Sequence, residues 1–333
     1  MQTLKELFKI GPGPSSSHTF GPMKACQDIL KKAPEADAFK VTLFGSLALT
    51  GKGHLTDRII EKTLKGKNCE IAFDFKTRAD HPNTMIIEAF QKGEKIKEST
   101  YVSIGGGKII IDGQKPESAK DIYPYSTMDE IQAYCRERHM RLDEYVTETE
   151  GKDMDAYLSK IMKAMIHSVE KGLSKTGTLP GSLQLDRIAN ALYTSAKSIE
   201  NQADQDALLL SSYAYAASEQ NASGGTVVTA PTMGSCGVLP ALVYHYSKDL
   251  NYPKKSIINA LKTAGLIGNL IQENATISGA KAGCQAEVGA ACAMGGAFVA
   301  SLQRLSNETI ESAAEIGLEH HLGLPCDTVG GYD

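Results

Sequence analysis

Val288-Gly289-Ala290-Ala291-Cys292-Ala293-Met294-Gly295-Gly296-Ala297-Phe298-Val299-Ala300-Ser301-Leu302 runs without a single charge and is built mostly of alanine and glycine. A helix lying on a protein surface keeps one polar face. This stretch is apolar all round, so it belongs in the middle of a helical packing. It is shorter than the roughly 20 residues that a membrane span needs, which makes it a buried helix of a globular domain. Residues 260–271 read the same way. Around these two windows, from Thr127 onward, the chain is almost wholly helical in pattern, with one short β-rich stretch at residues 225–230.

The first part of the chain has a different texture. Short β-rich runs at residues 38–44, 70–75, 85–90 and 108–111 alternate with predicted helices at residues 21–32 and 57–64. The expected fold class is therefore α+β: a small N-terminal α/β domain (residues 1–120) followed by a mostly α-helical domain with a buried central helix (residues 127–333). The polar stretch between them holds Pro116, Ser118, Asp121, Pro124 and Ser126, and reads as an exposed linker.

At 333 residues the chain is long enough for two cores. A net charge of -4 and the lack of a basic run give no reason to expect nucleic acid. Residues 1–10 are charged and amphipathic, unlike a secretory signal, and no membrane association is expected. Seven cysteines without regular spacing do not resemble a disulfide framework. Free thiols in a cytoplasmic protein are the expectation. Tryptophan is absent while glycine reaches 31 residues, which points to close backbone packing and glycine-built loops.

Three such loops lie in the first domain. Gly11-Pro12-Gly13-Pro14-Ser15-Ser16-Ser17-His18-Thr19 gathers hydroxyls and an imidazole just before a predicted helix, where exposed amides favour a carboxylate or phosphate. For any one of these serines a plain N-cap is the simpler reading; the density of polar groups exceeds what capping needs. Gly45-Ser46-Leu47-Ala48-Leu49-Thr50-Gly51-Lys52-Gly53-His54 leaves a strand and delivers Lys52 and His54 at a turn, without the spacing of a P-loop. His54 is a candidate acid/base group, although histidines after such turns are often plain surface residues. Ser103-Ile104-Gly105-Gly106-Gly107 is either a nest for a carboxylate or an ordinary hairpin connection.

In the helical part, Ala222-Ser223-Gly224-Gly225 precedes Thr229-Ala230-Pro231-Thr232-Met233-Gly234-Ser235-Cys236. Cys236 is a candidate ligand, but a cysteine among small residues is more often simply buried. Cys284 stands at the head of the apolar helix, and Cys326 follows Gly323-Leu324-Pro325. Thiolates at helix ends and turns suit an iron–sulfur cluster. Cys292, on the same helix as Cys284, reads as core, and Cys26, Cys69 and Cys135 have no chemical neighbours in the sequence.

Taken together, residues 10–19, 45–57, 283–289 and 317–327 resemble the iron–sulfur-dependent L-serine dehydratases of the single-chain type, in which a β domain precedes an α domain. The resemblance covers nearly the whole chain. It implies conversion of L-serine to pyruvate and ammonia, a step in amino-acid degradation and gluconeogenesis, by a cytoplasmic homodimer. It implies a 4Fe–4S cluster held by three cysteines, whose open iron acts as a Lewis acid on the substrate. By motif, Cys284 and Cys326 match two of the ligands, and the sequence reaches Asp333 without the third. A C-terminally incomplete catalytic domain is thus expected. Ser15, Ser16, Ser17, Lys52, Ser103, Gly105 and Gly106 fall in loops resembling substrate contacts of the β domain, and Thr229 and Thr232 lie on the α side. His54 is the expected α-proton base, with His18 the alternative.

Two other readings compete with this one. A pyridoxal-phosphate β-eliminase needs a Schiff-base lysine beside a phosphate loop, for which Lys52 or Lys108 would serve. A non-enzymatic module would keep the serine-binding loops and lack the cluster.

Overall fold

A computed structural model describes residues 1–114, 120–277 and 282–323. Pro116, Ser118 and Cys326 lie outside the described residues. The chain divides into two compact units: Met1–Gly11 with residues 120–323, and residues 12–114. The chain opens with α1 (Leu4–Leu7) and β1 (Ile10–Pro12). Thus the first eleven residues group with the helical unit.

The sheet unit begins with a π-helical turn, Ser16–Phe20, that runs directly into α2 (Gly21–Lys32). There follow β2 (Ala38–Phe44), α3 (Gly45–Leu49), α4 (Thr56–Thr63), β3 (Asn68–Asp74), β4 (Thr84–Gln91), β5 (Glu94–Ser103) and β6 (Ile109–Ile111). The sheet order is β3-β2-β4-β5-β6. β2 and β3 are parallel, with Val41 opposite Ile71, so the connection between them must cross over, and α3 and α4 provide that crossover. The remaining pairs are antiparallel.

Period-two alternation sends Val41, Leu43, Met85, Ile87, Ala89 and Tyr101 into one core, where they meet Ala25, Cys26 and Ile29 of α2 and Ile60 of α4. β5 was the least visible strand in the sequence. Its first five residues, Glu94 to Glu98, are all exposed and mostly charged, and only Ser99, Tyr101 and Ser103 turn inward.

The helical unit contains α5 (Met128–Glu137), α6 (Leu142–Glu150), α7 (Asp153–Leu173), α8 (Ala189–Ala196), α9 (Gln202–Ala222), β7 (Thr226–Val228), α10 (Val238–Tyr244), α11 (Lys254–Asn274), α12 (Cys284–Leu302) and α13 (Asn307–Glu319). β7 pairs with β1. α11 and α12 are the two apolar windows of the sequence. Leu261, Ala264, Ile267, Ala293, Met294, Ala297 and Phe298 all lie in one large core. The charge inside the α11 window is neutralised where it stands: Lys262, 1% exposed, meets Asp155 at 2.5 Å and donates to Thr147 Oγ1 at 2.8 Å.

The described part of the connection is not a free tether. Tyr123 is buried, Ile122 and Tyr123 donate their amides to the Met1 carbonyl, and the Tyr123 hydroxyl donates to Glu150.

Glycine lets α12 and α13 approach closely. A Cβ at Gly296 would lie 2.4 Å from the Ala313 carbonyl oxygen, and one at Gly317 would lie 2.6 Å from that of Cys292. Backbone cannot yield as a flexible side-chain end can. Gly296→Ala is therefore expected to destabilise the protein by about 1–3 kcal/mol through overpacking, read as a lower urea midpoint. An unchanged midpoint would show that the two helices are not in close contact.

Candidate active site

The sheet unit brings Ser15, Ser17, His18 and His54 together and adds a residue that the sequence reading passed over, Ser46. Ser15 N-caps the Ser16–Phe20 turn, its Oγ accepting the His18 amide at 3.2 Å. Within the turn, Ser17 Oγ lies 2.9 Å from His18 Nδ1 and 3.3 Å from Ser15 Oγ. On the other side of the ring, His18 Nε2 lies 2.9 Å from Ser46 Oγ. Ser46 is fixed by the residue before it. Gly45 takes φ +52, and a Cβ there would come 2.7 Å from the Pro82 carbonyl oxygen, which also accepts the Ser46 amide at 2.7 Å.

His54 reaches the same place from the turn after α3. Its ring centroid is 4.6 Å from that of His18, with 30° between the planes. Thr19 Oγ1 donates to the His54 carbonyl at 2.8 Å, and Thr56 Oγ1 donates to the His18 carbonyl at 2.6 Å, tying the two loops together. His54 Nδ1 is 2.9 Å from the Thr50 carbonyl oxygen. A carbonyl can only accept, so Nδ1 carries the proton and the lone pair of the neutral ring is on Nε2.

Burial, and then the neighbouring His54 imidazole, pushes His18 down to about 4, against a hydrogen bond to the Ser46 backbone that favours the proton. This carries a stability consequence of defined sign. The unfolded chain takes up a proton near 6.5 that folded His18 refuses until about 4. The stabilisation is complete above about 6.5 and is lost as pH falls towards 4, by about 3 kcal/mol in all. Urea midpoints between pH 7 and 4.5 should fall more steeply for the native chain than for His18→Gln. Parallel slopes would mean that His18 titrates as in the unfolded chain.

The other expected residues of this unit are placed differently. Ser103 is fully buried, and its Oγ has no hydrogen-bond partner among the described residues. It lies against Gly21, where a Cβ would come 2.1 Å from Ser103 Oγ, and so stands at the end of the Ser16–Phe20 turn. Ser16 starts that turn, and its carbonyl accepts the Gly21 amide. Gly105 and Gly106, with φ of +89 and +58, shape the β5–β6 connection, closed by the Lys108 amide on the Gly105 carbonyl at 2.9 Å. Lys52 is exposed, and its ammonium sits 5.2 Å from the Phe73 ring centroid.

In the helical unit, the Thr229 hydroxyl accepts the Lys9 amide at 2.8 Å and donates to the Leu7 carbonyl, so it fastens the chain start to the segment after β7. Thr232 donates to Glu287 in the first turn of α12, and its Oγ1 lies 3.1 Å from Ser235 Oγ. Glu287 in turn lies over Gly234, where a Cβ would meet its Oε2 at 2.6 Å. Cys284 opens α12 and is half-buried. Ser46, Ser235 and Glu287 are the polar residues that sequence reading missed. The signal for Ser46 and Glu287 was position alone, one beside a glycine forced to positive φ and one a single turn into the Cys284 helix.

Donor chemistry decides how far these residues fit an iron–sulfur cluster, which needs thiolates. Burial pushes the Cys236 thiol up to about 12 and the Cys135 thiol up to about 11, which suits inert core cysteines. Cys284 instead stands at the positive end of a long helix dipole, where a thiolate is favoured. Cys292 is no substitute ligand beside it. Eight residues along a helix put it about 12 Å away, and its Sγ lies 3.4 Å from His321 Nε2. Among the described residues, no group of three or more His, Cys, Asp or Glu is placed to hold a metal ion. The described chain thus supplies one donor of the expected set. Also among the described residues, no helix is long and apolar enough to cross a membrane.

Comparison with known proteins gives a consistent result. A family described as serine dehydratase beta chain matches residues 3–73, and one described as serine dehydratase alpha chain matches residues 81–332. An L-serine dehydratase of Helicobacter pylori (strain J99) is 37% identical, covering 99% of this chain and 84% of the relative. L-serine dehydratase 1 of Escherichia coli (strain K12) is 35% identical, covering 99% and 85%. An L-serine dehydratase of Streptomyces coelicolor is 34% identical, covering 98% and 84%. The first alignment runs over 384 positions against 333 residues here, so that relative carries segments within the aligned span that this chain lacks.

Proposed function

The chain belongs to the serine dehydratase family, and from that membership we propose that it converts L-serine to pyruvate and ammonia. The observation that carries the chemistry is the His54 geometry: Nδ1–H is committed to the Thr50 carbonyl, which leaves Nε2 as the basic atom of the neutral ring. His54 Nε2 takes the α-proton of L-serine. The Cα–H electron pair becomes the Cα–Cβ double bond as the Cβ–O bond breaks and hydroxide leaves. The proton and the hydroxide together account for the water lost. The remaining 2-aminoacrylate tautomerises and hydrolyses to pyruvate and ammonium. Ser15, Ser17 and Ser46 supply hydroxyl groups around the two imidazoles, suited to a small substrate rich in oxygen.

The cofactor we propose is a 4Fe–4S cluster, with Cys284 as one ligand and Cys326 as a second. When bound, such a cluster supplies an electrophile that makes hydroxide a better leaving group. The placement of Cys284 at the head of α12 supports the assignment. We further propose a cytoplasmic homodimer. In support, the six cysteines among the described residues are all free thiols, as a reducing compartment would keep them. Light scattering tests the dimer.

The function is tested by incubating the anaerobically reconstituted protein with L-serine and assaying pyruvate and ammonia. Equal amounts of the two are expected, with the broad visible absorbance of iron–sulfur and no pyridoxal band. Iron-loaded protein that releases neither product would refute the proposal.

A further inference from the structure

Cys292 and His321 form a thiol–imidazole pair in the helical unit that the proposed dehydration does not use. Glycines in α12 and α13 bring the two side chains together. Gly289 stands one turn before Cys292, and Gly317 one turn before His321. A Cβ at Gly289 would lie 3.5 Å from His321 Cβ, so the histidine passes over α12 at that glycine. At Gly317 the backbone lies against the Cys292 carbonyl. His321 thus arrives beside the thiol, with Nε2 3.4 Å from Cys292 Sγ. The apolar run around Cys292 suggests a core residue, yet the side chain is only half-buried.

The other ring nitrogen decides how the pair works. His321 Nδ1 lies 3.0 Å from the Gly317 carbonyl oxygen. A carbonyl can only accept, so Nδ1 carries a proton, and the lone pair of the neutral ring is on Nε2. The Cys292 S–H therefore donates to Nε2. Nucleophile, base and orienting group stand in a row, the last being a backbone carbonyl. Cys69 provides the comparison within the same molecule. It too is half-buried, and burial raises both thiols above their ordinary value. Burial and then the neighbouring Glu61 carboxylate push Cys69 up to about 11. An anion beside Cys69 opposes loss of its proton, whereas the imidazole beside Cys292 accepts it.

We propose that Cys292 is a site of oxidative modification by hydrogen peroxide, with His321 as its base. Sγ attacks one peroxide oxygen while Nε2 takes the thiol proton. The S–O bond forms as the O–O bond breaks, and the imidazolium gives its proton to the departing hydroxide, which leaves as water. Cys292 is oxidised to a sulfenic acid, and the peroxide is reduced to water. Burial disfavours a free-standing thiolate here, so the reaction depends on His321 removing the proton as the new bond forms. Neither serine binding nor a cluster enters this step, so it does not rest on the dehydratase reading.

The test exposes the full chain, before iron loading, to hydrogen peroxide at pH 7 with dimedone present to trap sulfenic acid. Mass spectrometry of the digest then reads labelling at each cysteine separately. Cys292 is expected to be labelled about 10²-fold faster than Cys69, the lower end of what a positioned general base contributes. His321→Gln keeps an acceptor beside the thiol but has no basic nitrogen, and is expected to bring Cys292 down to the rate of Cys69. Its helical content should match native, because His321 lies beyond the last residue of α13. A native Cys292 labelled less than about tenfold faster than Cys69 overturns the proposal, and that comparison needs no variant to fold. So does undiminished Cys292 labelling in His321→Gln of native helical content.

Discussion

His54→Ala is expected to lower turnover of L-serine by about 10²–10⁴-fold, the range that a positioned general base contributes, with helical content and bound iron unchanged. The size of the effect follows from how the ring is held. His54 Nδ1 is tied to the Thr50 carbonyl one turn back, so the tautomer with a basic Nε2 is set before any ligand arrives. Thr19 holds the His54 carbonyl, which fixes the loop independently of the ring. Removing the imidazole therefore deletes the base and leaves the turn in place. His54→Gln, which keeps hydrogen-bonding capacity but has no basic nitrogen, should be nearly as inactive. Turnover within threefold of native in either variant would remove His54 from the reaction. His18 does not offer an easy replacement, because both of its ring nitrogens are engaged by serines.

The second large effect concerns the cofactor. Cys284→Ala is expected to abolish the visible absorbance of the reconstituted protein, to bring its iron content near zero and to lower activity on the order of a thousandfold. Cys326→Ala is expected to do the same. Cys292→Ala is the internal control. It lies about two turns further along α12, too far to share a cluster face with Cys284, and contacts His321 instead. It should load iron normally. Native iron content in Cys284→Ala, or loss of iron in Cys292→Ala, would reverse the ligand assignment.

Much of this architecture is legible in the sequence alone. The uncharged run at residues 288–302 could only be a buried helix, and it lies within α12 at the core of the helical unit. The strand at residues 38–44 and the helix at residues 21–32 fall on their observed limits, because alternation in one and amphipathicity in the other are unbroken. β5 was harder to see because Glu94 to Glu98 face solvent and carry no inward period.

Within the site, the density of hydroxyls before α2 was visible. Which hydroxyl meets which ring was not, since Ser46 joins His18 across 28 positions of sequence. Thr229 illustrates the converse. Its small polar setting resembles a binding loop, while its hydroxyl is spent on the Leu7 and Lys9 backbone. Lys52, beside three glycines, turns its charge onto Phe73. Composition marks where polar groups are dense, and only the pairing of donors with acceptors says what they do.

Following L-serine by proton NMR in D₂O, with the anaerobically reconstituted chain, tests the proposed dehydration most directly. Dehydration removes the α-proton and then protonates C3 of 2-aminoacrylate from solvent. Pyruvate sampled early must therefore carry one deuterium in its methyl group, and ammonia must appear in equal amount. Hydroxypyruvate, or pyruvate that has taken up no deuterium, or serine left unchanged by iron-loaded protein would contradict it.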